Sequence, residues 1–235
     1  MRFETAADFD FKNYFGIDRK EIKPNCILCH IFDLPLFSNE AQSGLFFKSA
    51  NTGDASIIGL KNNFLAGDAV LCLKKTNCKR IILFGSCGGI CGIDIGDIIA
   101  AEKSYNFESF SDMLNGKCGK EYIYSTPNLL SEICKENQKI KRKNADCAAS
   151  LLLENYFLSF FKSANIGAID MESSIVFSAA KEIEVDFSAI MYATDFVGNS
   201  QSFPNAPLDI KTKKLISRSR KEAAETLKRL VKNLA

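Results

Sequence analysis

Three short segments of the 235-residue chain carry residue types that can do chemistry together. Gly85-Ser86-Cys87-Gly88-Gly89 follows the apolar run Arg80–Phe84, Asp170-Met171-Glu172 opens an apolar-periodic segment, and Thr194-Asp195 closes another apolar run. Glycines carry no Cβ and tolerate positive φ, so a glycine turn lets backbone N–H groups approach a polar ligand closely. A glutamate where a helix starts is favoured as a charged acceptor by the helix N-terminal field, and can accept hydrogen bonds from paired hydroxyls. Asp195 stands at a strand end, and a carboxylic acid in a site that excludes water can donate a proton. Each segment also has a plainer reading, as a glycine connection between strands or as ordinary first-turn acids. The familiar glycine loops do not fit. Gly96-Asp97 leads into another apolar run, Ile98–Ala101, where a dinucleotide fingerprint would open a helix, and no Lys-Ser/Thr pair ends the loop as a phosphate-binding loop requires.

The elements that must position these residues alternate along the chain. Strands are expected at Asn25–Phe32, Leu45–Lys48, Ala55–Leu60, Arg80–Phe84, Asp97–Ala101, Tyr122–Tyr124, Ile140–Asn144, Ile166–Ile169 and Phe187–Tyr192. Helices are expected at Asn62–Thr76, Pro127–Glu136, Ala149–Lys162, Met171–Glu182 and Asp209–Leu234. In the helix after Asp170, Met171, Ile175, Ala179 and Ile183 form one apolar stripe. Loops are expected at 104–120 and 195–207. The pattern predicts an α/β fold, a three-layer α/β/α arrangement with a central, mostly parallel mixed sheet, as one domain over residues 1–235. In open α/β sheets ligands bind at the carboxyl ends of strands, which is where residues 85–89, 170–172 and 195 would meet.

Composition narrows the function classes. Hydrophobic residues are 46%, charged residues 25% and net charge +2, which gives no general attraction to nucleic acid. Lys and Arg concentrate at 211–232 with helical spacing and read as a solvated face. No apolar run is long enough to span a membrane, and the acidic first ten residues do not read as a signal peptide, so a cytoplasmic protein is expected. Nine scattered cysteines fit small buried hydrophobes in a reducing compartment. Cys26-Ile27-Leu28-Cys29-His30 has the form of a haem attachment motif, but lies in a strand-like run of a chain without an export signal. His30 is the single histidine, which argues against a zinc site or a Cys–His catalytic pair. No metal and no cofactor is expected.

The segment Gly85 to Ile99, then Gly167-Ala168-Ile169-Asp170-Met171-Glu172-Ser173-Ser174 heading a helix, then a strand ending in Ala193-Thr194-Asp195, resembles the purine nucleoside phosphorylase and nucleosidase superfamily. The likeness extends from about Ser56 to Ala235 and includes residues 57–70, the strand end Lys143-Asn144-Ala145-Asp146 and the last helix, whereas residues 1–50 are divergent. The resemblance implies that Gly85, Ser86, Cys87 and Gly88 lie along a nucleoside. It also implies that Met171 and Glu172 bind the ribose, with Glu172 on the 2′ and 3′ hydroxyls, and that Asp195 protonates or hydrogen-bonds N7 of a purine. Asp170 and Thr194 flank those positions. Cleaving the ribosyl C–N bond builds an oxocarbenium-like sugar and a negative base, so an acid at the leaving group and carboxylates at the ribose act together.

Departures from the family pattern concern the nucleophile. Hexameric phosphorylases place an arginine where this chain has Leu83 and another after the first strand, where it reads Phe32-Asp33-Leu34, with no Arg or Lys before Lys48. Phosphate without arginine is poorly bound, which favours hydrolysis. The water-activating glutamate of the nucleosidases has Asp33 and then Glu40 as its nearest counterparts, the arginine four residues before the acid is Met191, and the base-stacking aromatic is Ala148, with Phe157 able to approach from its helix. The expectation is hydrolysis of an adenosine-type purine nucleoside, with a phosphorylase supplied with charge by Lys48 or a neighbouring subunit, or a weakened nucleoside-binding protein, as alternatives. A homo-oligomer, a dimer for preference, is expected from the family's interfacial pocket and from Phe3, Phe9, Phe11 and Phe15 near the start.

Overall fold

A computed structural model describes residues 9–106, 109–117, 121–198 and 208–234. The elements run α1 (Phe11–Phe15), β1 (Asn25–His30), β2 (Gln42–Ser43), β3 (Phe47–Asn51), β4 (Ala55–Leu60), α2 (Ala66–Cys72), β5 (Arg80–Gly89), β6 (Ile98–Asn106), α3 (Phe110–Leu114), β7 (Tyr122–Tyr124) and α4 (Pro127–Glu136). They continue with β8 (Lys141–Cys147), α5 (Leu158–Ser163), β9 (Ile166–Asp170), α6 (Ser173–Glu182), β10 (Asp186–Phe196) and α7 (Ile210–Asn233). Short 3-10 turns at Leu34–Leu36, Asn63–Leu65 and Glu154–Phe157 sit beside the strand ends that matter below.

All ten strands join one mixed sheet, in the order β10-β6-β8-β9-β5-β1-β4-β3-β2 with β7 on β6. β1 pairs in parallel with β4 and β5, and β5 in parallel with β10, so these four strands share a direction. β6, β8 and β9 run the other way, β6 meeting β10 and β9 meeting β5 in antiparallel pairs. Because β10 bonds both β5 and β6, the sheet closes on itself there into a barrel-like ring.

Helices cover both faces, as the alternation of strands and helices predicts. β5 shows the period-two division between them: Ile81, Leu83 and Cys87 join one apolar core with α1, α2 and α6, while Ile82 and Phe84 join the other with α4 and α7. β4 is buried at every residue, as a strand covered on both faces should be. A third cluster, with Phe157, Phe161, Ile166 and Ile169, fills the space under α5.

Several element boundaries differ from expectation. Asn62–Thr76 is a 3-10 turn capped by Asn62 and then a seven-residue helix, since Gly67 and Asp68 weaken propagation. Ala149–Lys162 is a 3-10 turn leading into a short helix. On α6 the inward residues are Ser173, Val176, Phe177 and Ala180, while Ile175 is exposed. Ala179 and Ile183 of the expected stripe do pack in the core with α2, whereas Met171 and Ile175 line a cavity. The phenylalanine-rich start does not provide a free apolar surface. Phe11 and Phe15 are buried and stacked 4.3 Å apart, and Phe9 packs against them, while Phe3 and the rest of residues 1–8 fall outside the described residues. Among the described residues no helix is long and apolar enough to cross a membrane.

Candidate active site

β5 does not stop at Phe84. Gly85–Gly89 continues the strand, paired with β10 along one side and, at Gly88 and Gly89, with Ile169 and Ala168 of β9 on the other. The expected glycine turn is therefore strand, and glycine is required by crowding: a Cβ on Gly88 would meet Val197 Cγ2 at 2.6 Å, and one on Gly89 would meet Ile93 Cγ2 at 3.0 Å. Gly85 has nothing within 4 Å of the same position and faces a cavity. β10 likewise runs on past Tyr192, and a bulge between Ala193 and Asp195 leaves Thr194 outside the ladder and returns Asp195 beside Gly88. Thr194 Oγ1 donates to Asp195 Oδ1 at 2.9 Å.

Asp170 and Glu172, two residues apart, have opposite fates. Asp170 ends β9 and accepts from the Ser173 N–H at 2.8 Å and the Ser173 hydroxyl, serving the first donors of α6. Burial still holds it up at about 6 against those bonds. Glu172 keeps one buried oxygen, Oε1, with no partner. Burial first, and the neighbouring Asp170 second, push it up to about 8, opposed by hydrogen bonds from the Met171 backbone and Asn63.

Three adjoining cavities share Asn63 as a common wall and make one cleft. One, of about 260 Å³, is lined by His30, Asp33, Leu83, Gly85, Ser86, Asp170, Glu172 and Met191. A recess of about 200 Å³ is lined by Ser86, Cys87, Gly88, Glu154, Asp170, Met171, Glu172, Thr194 and Asp195. An outer cavity of about 810 Å³ has Phe64, Phe110, Ala148, Met171 and Ile175 on its walls. The structure thus brings together Gly85, Ser86, Cys87, Gly88, Asp170, Met171, Glu172, Thr194 and Asp195, with Ala148 at the outer edge.

Four other expected residues stand elsewhere or in another state. Phe157 is buried in the core under α5 and does not reach the cleft, because the 3-10 turn that carries it faces inward. Aromatic rings on the cleft wall come instead from Phe64 and Phe110. Glu40 is exposed and away from the cavity walls, and Lys48, half-buried on β3, does not line the cleft either. Asp33 does line it, but its Oδ1 already accepts from Arg220 Nε and, at 3.2 Å, from the Tyr192 hydroxyl. Arg220 Nη2 donates in addition to the Phe32 carbonyl.

Residues that sequence reasoning passed over also appear. His30 lines both the inner and the outer cavity, and its Nδ1 accepts from the Phe32 N–H at 3.3 Å, which leaves Nε2 to carry the proton of the neutral ring. Its place at the end of a buried strand was the available signal. Asn63 follows a helix-capping Asn62, a signal for the cap and not for a ligand. Arg220 belongs to the basic 211–232 stretch expected as a solvated helix face, and Glu154 lies within the expected helix Ala149–Lys162 with no signal of its own. Among the described residues no disulfide forms, and no three His, Cys, Asp or Glu side chains are grouped to hold a metal ion.

A family model described as the phosphorylase superfamily matches residues 65–235. Among solved structures the chain is similar to the 5′-methylthioadenosine/S-adenosyl homocysteine nucleosidase of Campylobacter jejuni, with 13% identity and a TM-score of 0.70 over 89% of this chain and 98% of that one. It is similar to futalosine hydrolase of Helicobacter pylori, at 13% identity and TM-score 0.71 over 90% and 98%. It is also similar to uridine phosphorylase of Vibrio fischeri, at 17% identity and TM-score 0.72 over 92% and 95%. At these identities the likeness is one of fold. No curated protein matches the sequence.

Proposed function

The chain belongs to the phosphorylase superfamily, and from that premise we propose that it cleaves the N-glycosidic bond of an adenosine-type purine nucleoside with water as the nucleophile. The carrying observation is the charge of the inner cavity. It is lined by Asp33, Asp170 and Glu172, with Leu83 and Met191 at the positions where the family resemblance expects arginine, and by no Lys or Arg among the described residues. Two cations beside it are already engaged: Arg220 by Asp33 and the Phe32 carbonyl, and Lys61, on the wall of the outer cavity, by the Gly44 and Leu45 carbonyls. A phosphate dianion entering here would give up its hydration without meeting a free cation to replace it. Water meets no such barrier.

In this reading Glu172 takes the ribose 2′ and 3′ hydroxyls and, once they have bound, carries the negative charge that stabilises a developing oxocarbenium ion. Met171 packs on the sugar, and Ser86 to Gly88 lie along the nucleoside. Asp195 hydrogen-bonds and protonates N7 of the departing base. Asp33, fixed by Arg220 and Tyr192, orients the attacking water. The electron pair of the broken C1′–N9 bond goes to the base, and water supplies the hydroxyl at C1′. We propose in addition a cytoplasmic homodimer, for which the exposed Phe64, Phe110 and Leu151 around the cleft supply an apolar surface. The test is release of free base from a nucleoside panel with and without phosphate. Base release unchanged by phosphate supports hydrolysis, release only with phosphate supports a phosphorylase, and binding without release supports a nucleoside-binding protein.

A further inference from the structure

Glu154 lies at the base end of the cleft, and the chemistry above does not use it. It is the first residue of the 3-10 turn Glu154–Phe157, is 6% exposed, and shares the recess of about 200 Å³ with Asp195, Thr194 and Gly88. No Lys or Arg lines that recess among the described residues. Glu172, which also lines the recess, has Oε1 buried without a partner, and behind the lining Asp146, 0% exposed with both carboxyl oxygens unpartnered, stands close enough for Glu154 to raise its pKa. A buried carboxyl with no cation burdens the fold, so its presence in a cavity wall calls for a ligand that uses it.

We propose that Glu154 reads the leaving base alongside Asp195, the two carboxyls together selecting a base edge that carries a hydrogen-bond acceptor next to a donor, as a 6-aminopurine does. This rests on the cleavage reading given above. Two carboxyls in one dry recess do not both ionise readily. Burial first, and the charge of Asp195 second, push Glu154 up to about 8. Near neutrality Glu154 therefore keeps its proton, and the two carboxyls offer the ligand an O–H donor beside an oxygen acceptor. Adenine presents N7 as an acceptor and the N6 amino group as a donor on one edge, which complements that pair. A 6-oxopurine presents N7 and O6, both acceptors, and sets one of them against the carboxylate. The same proton balances the reaction: it moves from the pair to N7 as the C1′–N9 electrons enter the base, water adds its hydroxyl to C1′ and gives its other proton to solvent, and solvent reprotonates the pair.

The experiment compares adenosine with inosine as substrates, and free adenine with hypoxanthine as ligands by calorimetry, in wild type, Glu154→Gln and Glu154→Met. Wild type is expected to prefer adenosine in kcat/KM by about 10²-fold, the scale of a polar contact made against one left opposed. Glu154→Gln, which keeps a donor and an acceptor but cannot ionise or pass a proton, should lower kcat on adenosine and narrow the preference to within about tenfold. Glu154→Met should weaken adenine at least about tenfold with little change for hypoxanthine. Unchanged substrate ratio and unchanged adenine affinity in both variants would overturn the inference and leave the cleavage reading standing. If wild type cleaves neither nucleoside, the cleavage reading fails, and selective adenine binding, lost in Glu154→Met, still decides the role of Glu154. Should a variant fail to fold, Glu154→Asp, which withdraws the carboxyl by one methylene, gives the same comparison, and equal wild-type affinity for adenine and hypoxanthine contradicts the proposal without any variant.

Discussion

The two ends of the cleft treat their carboxylates in opposite ways. At the Asp33 end the charge is answered inside the protein, by Arg220 from α7 and the Tyr192 hydroxyl from β10. Toward the recess, half-buried Glu172 and buried Glu154 meet no Lys or Arg among the described lining residues, and both are pushed up to about 8 by burial first, then by a neighbouring carboxylate. A saturated carboxylate stabilises the fold and fixes geometry, whereas an unsaturated one raises the fold's energy and keeps its hydrogen bonds for a ligand. Asp170 and Glu172 repeat the contrast within three residues: the first is spent on α6, the second is left for the cleft.

Substitutions at the unsaturated end should change turnover and spare stability. The largest effect is expected for Asp195→Asn, whose amide still donates a hydrogen bond: turnover should fall by roughly 10²–10⁴ while melting temperature and ligand affinity stay close to wild type. Glu172→Gln should follow, with losses of about 10²-fold shared between kcat and KM, because the ribose hydroxyls lose a charged acceptor and the cationic sugar loses its counter-charge. Wild-type kinetics in both variants would remove the contrast altogether.

The saturated end should answer mainly in stability. Arg220→Met leaves Asp33 buried and unpaired, and because the arginine is partly exposed we expect a loss of about 1–3 kcal/mol by denaturant titration, below that of a fully buried pair. If Arg220→Met leaves stability unchanged, Asp33 is not held as described. A smaller effect sharpens the boundary between the two ends. Gly85→Ala places a methyl where nothing lies within 4 Å, so stability should move by no more than about 0.5 kcal/mol while KM rises severalfold. On the same strand Gly88→Ala, whose Cβ would sit 2.6 Å from Val197 Cγ2, should be far more damaging to the fold.

The unsaturated carboxyls also set a pH dependence of stability. Asp146, Glu154 and Glu172 rise from the ordinary carboxylate range to about 8. Between those limits the native state holds more protons than the unfolded chain, so stability should fall as pH rises from about 5 to about 8 and level off above. Melting temperatures across that range check the slope, and Glu154→Gln should flatten part of it. A slope of the opposite sign would mean that these groups are ionised in the folded protein.

Much of the site was legible because its chemistry is local in sequence. Gly85–Gly89, Asp170–Glu172 and Thr194-Asp195 announce themselves by residue type at a strand end, and the alternation of apolar runs with helical spacing points to a sheet covered on both faces. What could not be read is set by tertiary pairing. That β5 runs on through its glycines depends on β9 and β10 flanking it, and the place of Asp195 depends on a bulge opposite Cys87 and Gly88. Glu154, His30 and Arg220 enter from segments that look ordinary alone. Arg220 is one side chain of a 24-residue helix, and only the docking of that helix against β10 selects it from its solvated neighbours.

The most direct test of the account is base release from adenosine by wild-type protein in phosphate-free buffer, repeated with phosphate added to millimolar concentration. A cleft end whose cations are committed to Asp33 and to backbone carbonyls predicts the same rate in both and free ribose as the sugar product. A rate that appears only with phosphate, with ribose 1-phosphate as the product, would contradict it.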